Sequence, residues 1–198
     1  YAKRDDLGWD IGGFIHCAAS VTTDIALCFG GPSYVQRAGW MTRMMDVWQA
    51  YGPGMYGSLS SYEISPHLNT CGFWCVPKIL ASYPIPVRNR SARLDFEHGL
   101  NALWRKFFVD DYPVKLVTWD GEYDWRDWRK PPNIYRRGDQ SNCMTYFSHT
   151  DNYACAPPWE KQILSAKADN FTDIGTMIHL ETARAMKGKP VNGGHAIA

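Results

Sequence analysis

The sequence predicts an α/β fold in which one sheet is flanked by helices. Short apolar runs of strand length alternate with longer segments whose apolar residues recur at helical spacing, which is the pattern of strands layered against helices. Gly and Pro clusters punctuate nearly every change between the two. With 198 residues, 45% of them apolar and 14% aromatic, the chain can bury one sizeable core and is far too hydrophobic for a disordered one. One domain over residues 1–186 with a tail over 187–198 is therefore expected.

Each element follows in order. Asp6 to Phe14 reads as a Gly-punctuated loop entering a short helical segment, Phe14 to Ala19. Asp24 to Phe29 is a continuous apolar run stopped by Gly30-Gly31-Pro32, as expected of a buried strand that ends in a tight loop. From Val35 to Ala50 the residues Val35, Ala38, Trp40, Met41, Met44, Met45, Val47 and Trp48 keep near-helical spacing, and Tyr51-Gly52-Pro53-Gly54 closes the helix. Met55 to Tyr62 and Thr70 to Val76 read as strands joined by a polar loop with Glu63, Pro66 and His67. Pro77 to Tyr83 is a short helix, and Leu94 to Phe108 a second long one. A strand over Val114 to Trp119 follows. Asp120 to Trp159, rich in Trp, Arg, Pro and Asn and without clear period, reads as a long ordered loop around a site, and Ile163 to Met186 as one or two terminal helices.

Composition removes several classes of function. Lys and Arg number 21 against 20 Asp and Glu, so a net charge of +1 gives no reason to expect nucleic acid or an anionic membrane as partner. No run of about 18 apolar residues offers a transmembrane segment. The six cysteines lie mostly in apolar stretches, where a free thiol behaves as a small hydrophobe; reduced thiols favour a cytoplasmic setting. The nine Trp and eleven Tyr exceed what a core needs, and flat amphipathic rings suit sugars. A chain opening at Tyr1 without an initiator Met or a signal-like segment is expected to be a piece of a longer protein.

Two patches carry a family likeness. The succession of Thr70-Cys-Gly-Phe-Trp-Cys-Val76, a short helix, an irregular turn, Asp95-Phe96-Glu97-His98-Gly99 and Lys115-Leu-Val-Thr-Trp119 resembles the acceptor half of nucleotide-sugar-dependent glycosyltransferases with the GT-A fold. Gly8-Trp9-Asp10-Ile11-Gly12-Gly13-Phe14 is similar to the nucleotide-side loop of bacterial and viral enzymes of the rhamnan-synthesis type. The resemblance implies a GT-A-like, Rossmann-like mixed sheet with long ordered acceptor-side loops and without its first β-α-β unit. It also implies inverting transfer of a hexosyl or deoxyhexosyl group from a nucleotide diphosphate to a saccharide hydroxyl in polysaccharide biosynthesis. The family commonly places Asp-x-Asp after the strand represented here by Asp24 to Phe29, to hold Mn or Mg against the diphosphate. Gly30-Gly31-Pro32 stands there instead, so basic side chains or backbone N–H groups take over that charge.

Glu97 is the expected catalytic base, an acid read as opening the second long helix, with His98 beside it to orient it or to contact the acceptor. The plainer alternative is that Asp95 and Glu97 decorate a helix start. Asp10, Gly12, Gly30, Gly31, Arg136 and Arg137 are the expected donor and diphosphate contacts, with Arg37 a further cation, since guanidinium groups fork onto phosphate oxygens. His67, Trp119, Asp120, Asp139 and Gln140 are expected on the acceptor sugar. His149, with His67, His98 and Asp10 or Asp139, is the candidate metal set, although the spacing matches no zinc motif. A non-catalytic carbohydrate-binding module is the competing reading.

Overall fold

The computed structural model describes residues 8–131, 135–171 and 175–187. Asp6, Leu7, Asn133, Ile134 and the expected tail beyond Lys187 lie outside the described residues. In chain order the elements are α1 (Trp9–Ala18), β1 (Ala26–Phe29), α2 (Trp40–Tyr51), β2 (Met55–Gly57), β3 (Ser60–Ser61), β4 (His67–Leu68) and β5 (Gly72–Cys75). There follow α3 (Pro77–Ala81), α4 (Arg90–His98), α5 (Leu103–Val109), β6 (Val114–Val117), β7 (Glu122–Asp124), a 3-10 turn over Trp125–Asp127, α6 (Ser148–Cys155), α7 (Pro158–Ala168) and α8 (Gly175–Lys187).

Five strands form one mixed sheet in the order β1-β5-β2-β6-β7, and β3 with β4 forms a separate two-stranded ribbon. Strand β5 runs antiparallel to both neighbours, β2 and β6 are parallel, and β7 returns antiparallel on β6. Hence β1, β2 and β6 all point the same way. The twofold alternation of strand side chains sorts residues between two cores. On one face Met55, Phe73, Cys75, Val114 and Leu116 pack with Phe96, Leu103, Trp104, Phe107 and Trp128. On the other face Tyr56, Trp74 and Val117 pack with Met44 and Val47 of α2, and Phe29 meets Trp40 edge to face. The result is a sheet between helical layers.

The mixed α/β architecture expected from the sequence is present, with five corrections. The loop expected over Asp6 to Phe14 is helix from Trp9 onward; Gly8 takes the left-handed conformation before it, where a Cβ would stand 1.8 Å from the Val87 carbonyl oxygen. Helix α2 starts later than Val35, after the left-handed Gly39. The run from Met55 to Tyr62 breaks into two strands, and the loop after it holds β4. The expected helix Leu94 to Phe108 is two helices separated by Gly99 to Ala102, with Leu100 79% exposed in the break. The expected long loop after Asp120 contains β7, the 3-10 turn and α6.

The larger core is aromatic. Trp104 meets Trp128 with ring centroids 5.3 Å apart, and Phe107 is wholly buried beside Tyr112. Truncating such a ring loses its transfer free energy and leaves a cavity. Phe107→Ala should lower the free energy of unfolding by about 3–5 kcal/mol in urea titration. A loss below about 1 kcal/mol would contradict this placement of the ring.

Candidate functional site

The carboxyl ends of β1, β2 and β6 open onto one rim, the end of an α/β sheet where ligands characteristically bind. Three chain segments build it. The Gly30 to Ser33 loop leaves β1, Thr70 and Cys71 lead into β5, and the stretch from Tyr135 to Phe147 folds across. Gly30 donates its N–H to the Cys71 carbonyl at 3.1 Å, and Tyr34 and Tyr146 exchange both backbone hydrogen bonds at 2.8 Å. Gly72 admits the crossing stretch, because a Cβ there would lie 2.7 Å from Thr145 Cγ2. Ser58 donates to the Gly72 carbonyl at 2.9 Å and its hydroxyl also meets that of Thr145.

Glu97 reaches this rim from α4. Its Oε1 accepts the Thr70 backbone N–H at 3.1 Å and the Thr70 hydroxyl at 3.0 Å. Among the described residues Oε2 takes no hydrogen bond, which leaves one carboxylate oxygen fixed and the other unengaged. The carboxylate sits on the last turn of α4 and not at a helix start, so Thr70, and not a helix N-terminus, holds the charge. That corrects the expected reason for Glu97 while keeping the residue on the rim.

The histidines gather close by. His67 is buried, and its Nδ1 stands 2.8 Å from the Ser65 carbonyl oxygen. A carbonyl oxygen only accepts, so Nδ1 carries a proton, and in the neutral imidazole Nε2 is then the acceptor. The His98 ring lies 5.2 Å from that of His67, and burial first, then His67, pull its pKa below the ordinary value. The Ser65 hydroxyl donates to the His98 carbonyl. Ser65 closes a three-residue turn by donating its N–H to the Glu63 carbonyl at 2.9 Å, across Ile64 at φ +71°. Positive φ in a β-branched residue is strained and persists only where its surroundings impose it; here the Asn170 side chain accepts the Ile64 N–H at 3.2 Å.

That turn aims Glu63 at two cations. Arg136 Nη1 stands 3.7 Å from Glu63 Oε2, and Lys167 Nζ stands 3.2 Å from Oε1. Arg136 is buried, has a left-handed backbone, and has its N–H accepted by the Gln140 side chain at 3.0 Å. His149 is exposed, and its pKa is lowered first by partial burial and then by Arg136, with Lys167 and Arg93 adding to it. Asp10 completes the rim. A Cβ on Gly30 would lie 3.1 Å from Asp10 Oδ2, so the glycine makes room for that carboxylate. The thiol of Cys71 lies between these acids; burial foremost, and then the charge of Glu97, push it up to about 12.

Other expected contacts lie elsewhere or are engaged. Gly12 is inside α1. Gly31 has open space around its Cα, in line with a loop that a ligand approaches. Arg137 turns away and donates to the Arg129 carbonyl at 2.7 Å. Arg37 lies over the Trp119 ring and donates to the Ser141 carbonyl at 2.7 Å. The Trp119 indole N–H is spent on the Cys143 carbonyl at 3.1 Å, and the partly buried ring packs against the second core with Arg37 over it. Asp120 is exposed in the turn after β6. Asp139 accepts from the Ser141 N–H and hydroxyl, which lower its pKa, and Gln140 is wholly buried; both organise their own loop. Among the described residues no three His, Cys, Asp or Glu side chains converge to hold a metal ion, so the set proposed around His149 does not form.

Residues that sequence reasoning passed over include Thr70, Arg93 and Ser33. Thr70 carried one signal, a hydroxyl residue just before an apolar strand. Comparison with protein-family models, with curated proteins and with solved structures finds no match.

His98 and His149 both have folded pKa values below the unfolded reference of about 6.5. The unfolded chain therefore binds protons first as pH falls, so the stability these residues contribute is present above that reference and lost below it. The melting temperature should fall between about pH 7 and pH 5, and less steeply in His98→Gln. An unchanged slope in that variant would exclude His98 as a contributor.

Proposed function

We propose that this chain transfers a sugar from a nucleotide-diphosphate donor to a saccharide hydroxyl, with inversion, on a GT-A-like sheet. The observation that supports this reading is the Glu97 carboxylate, anchored through one oxygen by Thr70 at the carboxyl rim of the strands. A general base needs this arrangement: a fixed position within reach of the incoming hydroxyl and a free oxygen for its proton. Glu97 Oε2 takes the proton from the acceptor hydroxyl as that oxygen forms its bond to the anomeric carbon from the face opposite the diphosphate. The bond from the anomeric carbon to the phosphate oxygen breaks and its electron pair leaves with the nucleoside diphosphate.

The neighbours suit two polar substrates. His67, when neutral with its proton on Nδ1, offers an Nε2 acceptor to a hydroxyl, and Asp10, packed on Gly30 beside the open Gly31, offers carboxylate oxygens on the donor side. Trp119 spends its indole N–H on a carbonyl and Trp128 is fully buried, so neither is an open platform for a carbohydrate-binding module; the exposed indoles are those of Trp9 and Trp159.

A panel of nucleotide sugars, with and without Mn or Mg, tests the reading through thermal stabilisation and donor hydrolysis, since a ligand of the folded state raises the melting temperature by mass action. One or more donors should score. Glu97→Gln should then lower turnover by about 100- to 10,000-fold with donor binding retained. Thr70→Val should lower turnover with little change in KM, and Thr70→Ser should restore it. Full turnover in Glu97→Gln, or binding of free oligosaccharide with no response to any nucleotide sugar, would remove the proposal.

A further inference from the structure

The structure assigns a second task to the same rim: Arg136, linked to His149 through the packed rings of Tyr135 and Phe147, forms a clamp for a diphosphate that needs no bridging metal ion. The clamp itself stands on the geometry below; only the identity of its anion as the donor's diphosphate rests on the glycosyl-transfer reading. Arg136 is 9% exposed, and its guanidinium lies over the Tyr135 ring, 4.9 Å from the centroid, with its hydrogen-bonding capacity under-used. Nε is buried without a hydrogen-bond partner, and Nη1 is 3.7 Å from Glu63, beyond hydrogen-bond length. A buried cation with unfilled donors is costly, and a planar guanidinium is shaped to fill them with the oxygens of a phosphate.

The protein imposes this arrangement. The left-handed backbone of Arg136 is held from both sides, its N–H accepted by Gln140 and its carbonyl accepting from the Ser165 hydroxyl at 2.7 Å. The void of about 20 Å³ between Arg136, Tyr135 and Ala168 has room for one water and none for a phosphate. An anion therefore approaches from the side of the exposed His149. Glu63 acts as a stand-in counter-ion. It already lies nearer to Lys167, at 3.2 Å, than to Arg136, so an arriving anion can take Arg136 while Glu63 stays with the lysine.

Side-chain ligands for a divalent cation are sparse on this rim among the described residues. Gly30-Gly31-Pro32 supplies no side-chain oxygen ligand, Asp10 is the carboxylate that reaches Gly30, and no three metal-ligating side chains converge among the described residues. Among the described residues the charges that act on His149 are those of Arg136, Lys167 and Arg93 with the acid Glu63, so protonation of the imidazole adds a cation to a set that already favours an anion.

Inorganic pyrophosphate, titrated calorimetrically into the whole chain in EDTA, tests the clamp. Saturable binding is expected, weakened roughly tenfold or more by Arg136→Gln and strengthened by Glu63→Gln, which removes the competing carboxylate. Affinity should rise between about pH 7.5 and pH 5.5, on either side of the histidine reference value. Part of that rise should vanish in His149→Gln, a comparison that cancels the titration of pyrophosphate itself. If Arg136→Gln does not fold, the exposed His149 and the Glu63 variant decide, and unchanged affinity in both overturns the clamp. Binding that requires added Mn or Mg, or no saturable binding in EDTA, also overturns it. Pyrophosphate binding without any response to nucleotide sugars would keep the clamp and defeat glycosyl transfer; donor turnover without pyrophosphate binding in EDTA would do the reverse.

Discussion

The missing side chain at Gly72 is the constraint on which the rim depends. Strand β5 lies between β1 and β2 and feeds both cores, Phe73 and Cys75 to one and Trp74 to the other. Its first residue must also let Thr145 lie against the sheet, and only a residue without Cβ leaves that space. The crossing stretch then carries Tyr135 and Phe147, whose rings stack at 5.8 Å, over the strand ends. With that stretch in place, Arg136 is brought to Glu63 and Cys71 is enclosed beside Glu97. A methyl group at Gly72 would stand 2.7 Å from Thr145 Cγ2 and 3.0 Å from Ser58 Oγ, so one of these neighbours or the strand itself would have to shift.

The rim also shows how polar groups are divided between scaffolding and chemistry. Those that complete a local hydrogen-bond pattern, such as Asp139 with Ser141 or Gln140 with the Arg136 backbone, are used up. Those held by one side only retain capacity. Glu97 has a second oxygen, His67 its Nε2, and Arg136 its unfilled donors. Pinning a group through part of its bonding capacity is how a site is kept ready without reorganisation when the substrate arrives.

Much of the scaffold was legible in the sequence because apolar runs report burial directly. The runs ending at Phe29, over Gly72 to Cys75 and over Val114 to Val117 are all strands of one sheet. The break at Gly99 to Ala102 was hidden, since Phe96 in α4 and Leu103, Trp104 and Phe107 in α5 face the same core and keep an apolar rhythm across the gap. For that reason Glu97 was placed at a helix start when it occupies a helix end. The first half of α1, before Phe14, escaped because Gly12 and Gly13 argue against a helix, yet burial of Ile11 and Ala18 outweighs their cost. Within the site, Glu97, His98, His67, Asp10, Gly30 and Arg136 could be found from residue type and order. Thr70 could not be weighted, because its role comes from meeting a residue 27 positions away. The local spending of Asp139 and Gln140 is equally invisible, since a polar run looks the same whether it faces a ligand or itself.

The turn over Glu63, Ile64 and Ser65 has a further consequence. Ser65 offers its carbonyl to the His67 imidazole and its hydroxyl to the last residue of α4, one position beyond Glu97, while Glu63 opens the same turn. Three residues thereby tie together the Glu63 carboxylate, the His67 imidazole and the end of the helix that carries Glu97. With Ile64 held at φ +71°, a displacement of this one turn would be shared by the Glu63 carboxylate, the His67 ring and the carboxyl end of α4.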